Sequence, residues 1–373
     1  MAFDLVTGHE TPKARLMEAL LGDRLAHAYL FHGSPGIGAE TLAIELAKAI
    51  NCDKKQGEPC QQCKSCRTIS NLQHPDVHFY VPSTSAIQDV RLERRKELTD
   101  QVAGNPYAAI SYRKSDYLSI GDIRELRQVA SGKPYEGRRK VVLLFAADRM
   151  NTEASNALLK TLEEPPGNLL LILVTDRIHQ LLPTIVSRCQ PVYLARLPDE
   201  TLHDALIHRF QIEPALVGLA VRQADGSVSN ALVSVSEEGA SNRTTAFEFL
   251  ETVHRGSLVD LFEKVEQLVA SHRNDPILES MLDMLLVYYR DLFLLIETGN
   301  GEAIQHVDKT DWLSQTAQRL SFDKVQSAIS AIEEIKQNII QNAHVQLAMT
   351  VLALRLRSVG SVTKQGITLG PAS

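Results

Sequence analysis

The chain has 373 residues, of which 44% are hydrophobic and 23% are charged, and its formal net charge is −6. This length predicts two or three domains, since a single core rarely grows beyond about 250–300 residues. The composition is that of a soluble globular protein, and the acidic balance argues against broad, autonomous nucleic-acid binding. No apolar run reaches the roughly 18 residues of a membrane span. The N-terminus lacks the basic and apolar segments of a signal peptide, so we expect a cytoplasmic protein.

The first part of the chain alternates between strand and helix patterns. Helical patterns at 121–131 and 152–163 lie between apolar runs that are typical of buried strands, at 28–31, 77–81, 140–146, 169–174 and 191–194. This alternation predicts an α/β domain with a parallel sheet over residues 1–193. Ligands of such sheets bind beyond the carboxyl ends of the strands.

A glycine-rich loop follows the first predicted strand. Gly33 and Gly38 have the spacing of the phosphate-binding motif G-x-x-x-x-G-K-[ST], and a helical pattern follows the loop, as that motif requires. Ala39 replaces the Lys that reaches the phosphates, and Glu40 replaces the Ser/Thr that holds Mg²⁺. The sequence therefore predicts a degenerate nucleotide-binding loop. An ordinary glycine-rich turn is the alternative, which the flanking strand and helix disfavour.

Four of the five cysteines form a cluster, C-x7-C-x2-C-x2-C, made of Cys52, Cys60, Cys63 and Cys66. In a reducing compartment such clustering indicates metal binding, and four thiolates can close a tetrahedral structural zinc site. We therefore predict a zinc knuckle over residues 51–67. An iron–sulfur cluster is the metal alternative, and four unrelated thiols are the remaining one. Cys189 stands apart, and we expect it to be packed rather than reactive.

Strand patterns stop after about residue 195. A polar, charged insertion occupies about 83–117, within the first domain. We expect a small helical domain over 194–240 and a C-terminal all-α domain over 241–360. A stripe at helical spacing supports the latter, formed by Val325, Ile329, Ile332, Ile335 and Ile339. Residues 361–373 are predicted to be a flexible tail.

Five stretches together resemble the AAA+ clamp-loader family. They are LAHAYLFHGSPGIG, the cysteine cluster followed by HPDV, SIGDIRELRQVASGKPYEGRRKVVLLFAADRMN, ASNALLKTLEEPP and LLPTIVSRCQPVYLARL. The resemblance covers roughly residues 3–360 and is most specific in the Leu-Leu-Lys-x-Leu-Glu-Glu-Pro-Pro and Ser-Arg-Cys elements. It implies an AAA+ sheet domain, a helical lid domain over 194–240 and a C-terminal collar domain over 241–360 that holds subunits together. To Lys160, Glu163 and Glu164 of the first element we assign only packing or interface roles.

The chain departs from this family at positions that handle ATP. Phe145-Ala146 stand where an active member carries an Asp-Glu pair, and Ser229 stands where it carries an Arg in the second domain. Thr175 occupies the position of the family's polar sensor. With Ala39 and Glu40 in the loop, these departures imply a subunit that does not hydrolyse ATP, and no bound ATP is expected.

The resemblance also implies a role for Arg188 of the Ser-Arg-Cys element. In this family that Arg acts in trans as an arginine finger, projecting into the ATP site of a neighbouring subunit. The implied partners are gamma/tau-type and delta clamp-loader subunits in a hetero-oligomer, with the sliding clamp and primer–template DNA reached through the complex. Two alternatives remain: an active gamma/tau-type ATPase with an unusual loop, and a nucleic-acid-binding module built on the zinc knuckle.

Overall fold

The computed structural model describes residues 3–54, 57–83, 115–271, 276–299, 301, 304–340 and 343–360, and in addition 93, 96, 97, 100, 101, 105, 107, 108 and 112. Most of the predicted insertion at 83–117 and all of the predicted tail at 361–373 lie outside these residues. The chain divides into two compact units, Met1–Val233 and Ser234–Ser373. The three-domain division with boundaries at 193 and 240 stays a prediction. Within the described residues, no helix is both long and apolar enough to cross a membrane.

A parallel sheet forms the centre of the first unit. Its strands are β1 (Ala28–Gly33), β2 (Val77–Tyr80), β3 (Lys140–Leu144), β4 (Leu169–Thr175) and β5 (Gln190–Leu194). They lie in the order β2-β3-β4-β1-β5, and every neighbouring pair is parallel. The predicted α/β class and the predicted strands are thus confirmed, with ends that differ by at most two residues.

Helices cover both faces of this sheet. The helices of this unit whose bounds the structure describes are α1 (Glu10–Leu21), α2 (Ala39–Asn51), α3 (Lys64–Ser70), α4 (Ile120–Ser131), α5 (Thr152–Glu163), α6 (Pro183–Val186), α7 (Asp199–His208), α8 (Pro214–Ala224) and α9 (Val228–Val235). Side chains alternate along β1: Tyr29 and Phe31 pack in a core with α1 and α2, while Ala28 and Leu30 pack in a second core with α4 and α5. Burial on both faces explains why the strands are continuous apolar runs.

Helix α5 has well-defined ends. The side chain of Asn151 accepts a hydrogen bond from the Ala154 N–H at 2.8 Å, which satisfies one of the free donors of the first turn. At the other end, Pro165 and Pro166 follow closely and cannot continue a helix. Glu163 is therefore the last residue of α5, close to the surface.

The described part of the second unit is helical. It contains α10 (Glu237–Arg255), α11 (Leu258–Ser271), α12 (Pro276–Thr298), α13 (Thr310–Ala317), α14 (Phe322–Ile340) and α15 (Val345–Gly360). The predicted stripe on α14 faces the core, where Val325, Ile332 and Ile335 are buried. Helix α12 is apolar because it contributes many residues to the same core, including Tyr289 and Leu292.

A buried carboxylate on α12 fixes the chain that follows this helix. Asp291 is fully buried and accepts hydrogen bonds from the backbone N–H groups of Gln305 and His306, both at 2.9 Å. Its Oδ2 also lies 2.8 Å from Nδ1 of His306, whose ring stacks on Tyr288 with centroids 3.7 Å apart. One side chain thus satisfies several buried donors, and the segment is held against α12.

We expect Asp291→Ala to destabilise the second unit by roughly 3 kcal/mol or more, because each buried donor left without an acceptor costs about 1–3 kcal/mol. Trp312 is the sole tryptophan of the chain and is buried in this unit, so its fluorescence during urea denaturation reports the unfolding of this unit. Asp283→Ala is the matched control, because Asp283 lies on the same helix but is 56% exposed in its pair with Lys336. Equal urea midpoints for the two variants would contradict the assignment.

Candidate functional site

The glycine loop lies at the carboxyl end of β1, and residues from distant parts of the first unit pack against it. Gly36 and Gly38 have φ angles of +71° and +103°, which favour glycine. A Cβ at Gly36 would lie 2.4 Å from Cβ of Ser229, and a Cβ at Gly38 would lie 2.9 Å from the ring of Tyr107. The Ser229 N–H also donates to the Gly36 carbonyl at 3.0 Å. A side chain at Gly36 would collide with Ser229, and one at Gly38 would collide with Tyr107, so this packing alone requires glycine at both positions.

Tyr107 covers the loop and is only 3% exposed. Its hydroxyl accepts a hydrogen bond from the Thr7 N–H at 2.7 Å, and its ring meets that of Phe210 edge-on at 5.8 Å. The Arg209 guanidinium lies over the same ring, 5.6 Å from its centroid. Tyr107 thus joins the N-terminal segment, the loop and the end of α7. Sequence reasoning missed it, because it lies in the insertion, where no pattern marked it.

Beside the loop lies a pocket with an acidic wall, which includes Glu40, Asp148 and Asp176. Burial raises the pKa of Glu40 above its ordinary value, and the charge of Asp176 acts in the same direction. A carboxylate at the start of α2 occupies the place where a phosphate-binding loop offers a hydroxyl to Mg²⁺. The lining thus has a carboxyl group where an active loop has a hydroxyl, and Ala39 supplies no lysine for a phosphate.

The pocket also holds the positions that sequence analysis compared with an active ATPase. Ala146 lines it, while Phe145 is buried, so neither offers a carboxylate to a metal ion. Thr175, the predicted sensor, donates its hydroxyl to Asp148 at 2.6 Å and accepts from the Arg177 N–H at 3.0 Å. The sensor hydroxyl is thus occupied by the chain's own groups.

Two arginines line the same pocket, and each also contacts a neighbouring side chain. The Arg149 guanidinium lies 5.3 Å from the ring centroid of Tyr112, and Nε of Arg177 is 3.9 Å from a carboxylate oxygen of Asp176. Arg188 is not among the described residues that line this pocket. The pocket therefore combines acidic groups with arginines that already have partners.

The predicted metal ligands come together at the end of α2 and the start of α3. The Sγ atoms of Cys52, Cys60, Cys63 and Cys66 all lie within 4.8 Å of one another, and those of Cys52 and Cys63 are 3.9 Å apart. A tetrahedral zinc with Zn–S bonds of about 2.3 Å places its sulfurs about 3.8 Å apart. The four thiols are not joined as disulfides. The cluster has the residue types and the spacing of a four-cysteine metal site.

The thiols of the cluster differ in how readily they ionise. The backbone N–H of Gln62 lowers the pKa of Cys60 to about 6, and the N–H of Cys63 acts in the same direction. Burial raises the pKa of both Cys63 and Cys66. A divalent cation would favour the thiolate form at all four positions, which offsets the cost of burying them.

Helix α2 holds this cluster through a buried ion pair. Lys48 and Glu45 are each 1% exposed and lie 2.6 Å apart, Nζ to Oε1. Gln61, between two of the cysteines, accepts from Lys48 at 3.0 Å and donates to Glu45 at 2.8 Å. Asp53, next to Cys52, accepts from the Ser65 hydroxyl at 2.6 Å. The turns that carry the thiols are therefore anchored on both sides.

Arg188 lies between α6 and β5, and its side chain is 36% exposed. Its Nη1 donates to the Thr184 carbonyl at 3.0 Å, and its Nη2 lies 2.9 Å from Oε1 of Glu163. Sequence analysis did not anticipate this ion pair. The neighbouring Cys189 is buried, and burial raises the pKa of its thiol to about 12, so the prediction of a packed cysteine is confirmed.

Comparison with known proteins gives a consistent set of relatives. The family described as "DNA polymerase III, delta subunit" matches residues 8–198. DNA polymerase III subunit delta' of Bacillus subtilis (strain 168) is 29% identical over 342 residues, 92% of this chain and 94% of that protein. DNA polymerase III subunit tau of the same organism is 24% identical over 379 residues, 95% of this chain and 61% of that protein. A solved gamma subunit-related protein of Thermotoga maritima covers 94% of this chain and 99% of its own, with 17% identity and a TM-score of 0.47.

Proposed function

The chain belongs to the DNA polymerase III delta-subunit family, and we propose that it is a clamp-loader subunit that does not hydrolyse ATP. This family match confirms the resemblance to clamp-loader subunits that the sequence motifs indicate. Its partners would be tau/gamma-type and delta subunits, and it would reach the sliding clamp and primer–template DNA through the complex. As part of a replication complex it would work in the cytoplasm.

The observation that carries this proposal is the glycine loop, which lacks the groups that bind phosphate and Mg²⁺ and has side chains packed against two of its glycines. Ala39 offers no charge to a phosphate, Glu40 offers the wrong one, and Tyr107 and Ser229 pack against the glycines. A phosphate-binding loop works by leaving its backbone N–H groups open to the ligand. With no carboxylate at Phe145-Ala146, Mg²⁺ would lack its usual ligands as well.

The similarity to subunit tau supports a second candidate, an active gamma/tau-type ATPase. That candidate requires Mg·ATP to bind beside Glu40, Asp148 and Asp176 without the loop Lys. The acidic wall makes this the weaker proposal, and direct nucleotide binding separates the two.

We further propose that the cysteine cluster holds zinc in a structural role. Four protein ligands leave no open position for water or substrate, which is the arrangement of structural sites. The sulfur spacing fits a tetrahedral ion, and the anchoring of the ligand turns on α2 links the metal to the fold of the first unit.

Arg188 is the residue that we propose acts on a neighbour. It is exposed enough to be reached, and its planar guanidinium can bind a phosphoryl group with two parallel hydrogen bonds. An arginine supplied in trans stabilises charge on the transferring γ-phosphoryl group, which is commonly worth ~10³–10⁵ in rate. The subunit would thus contribute to hydrolysis without an active site of its own.

The isolated protein is expected to show no tight binding of Mg·ATP by titration calorimetry and no ATPase above background. Ala39→Lys, alone or with Glu40→Thr, should not restore turnover, because no acidic pair replaces Phe145-Ala146. A gamma/tau-type subunit titrated under the same conditions is the positive control. Micromolar binding of ATP to the unmodified chain would overturn the proposal and favour the active ATPase.

For the metal, we expect one zinc per chain by elemental analysis, with four sulfur ligands at about 2.3 Å by X-ray absorption. Cys63→Ala should lose the zinc and lower the melting temperature, whereas Cys189→Ala, which removes a buried thiol outside the cluster, should keep the zinc. Protein purified without chelator that contains iron, or no metal, would contradict this proposal.

Arg188→Ala should assemble normally but lower the DNA- and clamp-stimulated ATPase of the reconstituted loader, and only in part, because one neighbouring site faces this subunit. Arg188→Lys should rescue poorly, since a point charge does not reproduce the planar fork. Arg24→Ala is the control, because Arg24 is also an exposed, ion-paired arginine. Steady-state turnover, with gel filtration to verify assembly, measures the effect. Unchanged turnover in a fully assembled Arg188→Ala loader would remove the trans-acting role.

A further inference from the structure

The side chain of Arg188 is held at two points before any partner is present. Thr184, one turn earlier in the chain, accepts a hydrogen bond from Nη1 at 3.0 Å, and the Glu163 carboxylate lies 2.9 Å from Nη2. A guanidinium has five N–H donors in one plane, so a contact at each Nη atom fixes the direction of that plane. Among the residues that the structure describes, the guanidinium has no further hydrogen-bond or ion-pair partner, so its remaining donors can reach a second ligand.

The carboxylate that holds Arg188 comes from a rigid element. Glu163 is the last residue of α5, which is capped by Asn151 at its start and buries Leu158 and Leu162 against the sheet. A side chain at the end of a packed helix has a fixed origin, which is what positioning another group requires.

Folding stability does not explain this pair. The side chains of Glu163 and Arg188 are 50% and 36% exposed, and an ion pair in that setting contributes little to stability. It does restrict a long side chain that would otherwise sample many rotamers, and a side chain ordered in advance loses less freedom when it binds.

We infer that Glu163 is a positioning residue for Arg188: its carboxylate holds the guanidinium in the orientation that meets the neighbour's γ-phosphate. This inference rests on the proposed trans-acting role of Arg188. It assigns Glu163 a more specific role than the packing or interface role expected from the sequence.

The test is a double-mutant cycle in the reconstituted loader, with ATP turnover measured as kcat and KM. Glu163→Ala should lower turnover at the facing site about two- to tenfold, as expected when one long side chain must be ordered only on binding. The loss should appear in kcat with KM for ATP unchanged. Glu163→Gln should lose less, because its amide oxygen can still accept from Arg188. Glu153→Ala, an exposed carboxylate at the start of the same helix, should have no effect.

The decisive measurement is Glu163→Ala in the Arg188→Ala background. If Glu163 acts through Arg188, the second substitution should cause no further loss. An equal loss in both backgrounds, or no loss from Glu163→Ala in a loader that Arg188→Ala impairs, would overturn this inference and leave the proposed function in place. No loss from Arg188→Ala itself would overturn this inference together with the trans-acting role of Arg188.

Discussion

The close approach of the chain to its own glycine loop is the constraint on which the first unit depends. In a working phosphate-binding loop, glycines let backbone N–H groups reach a phosphate. Here the Gly36 carbonyl accepts a hydrogen bond from Ser229, and Gly38 lies under the Tyr107 ring. The same backbone conformation thus serves a different contact. Neighbouring side chains therefore impose a steric demand for glycine that does not depend on a bound phosphate.

Helix α2 connects the glycine loop to the cysteine cluster. It begins at the loop and ends one residue before Cys52, so a single rigid element separates the two features. A buried ion pair is costly unless its remaining hydrogen bonds are satisfied. Gln61 meets that condition for both Glu45 and Lys48, and it does so from within the cysteine cluster. Order in the cluster and the burial of this pair therefore depend on each other.

The parts that could be predicted are those with a local signal. Buried strands are continuous apolar runs, and the cysteine spacing marks four thiols that come together and could hold a metal ion, so both could be found without coordinates. The contacts of Tyr107 could not, because they join Thr7, Gly38 and Phe210, which are far apart in the chain. The pairing of Glu163 with Arg188 was hidden for the same reason. Both contacts arise from tertiary packing, which no periodicity records.

The surroundings of Arg188 differ from those of the arginines in the chain's own pocket. The chain's own pocket has an acidic wall, and its arginines, Arg149 and Arg177, already contact neighbouring groups. Arg188 lies outside the described lining of that pocket and is held by Glu163 with part of its surface exposed. Under the proposed function, a guanidinium arranged in this way has no phosphate to meet within its own chain. If it stabilises a transferring phosphoryl group, that group must belong to another subunit, so under the proposal the loss of the subunit's own site and the orientation of Arg188 are two aspects of one arrangement.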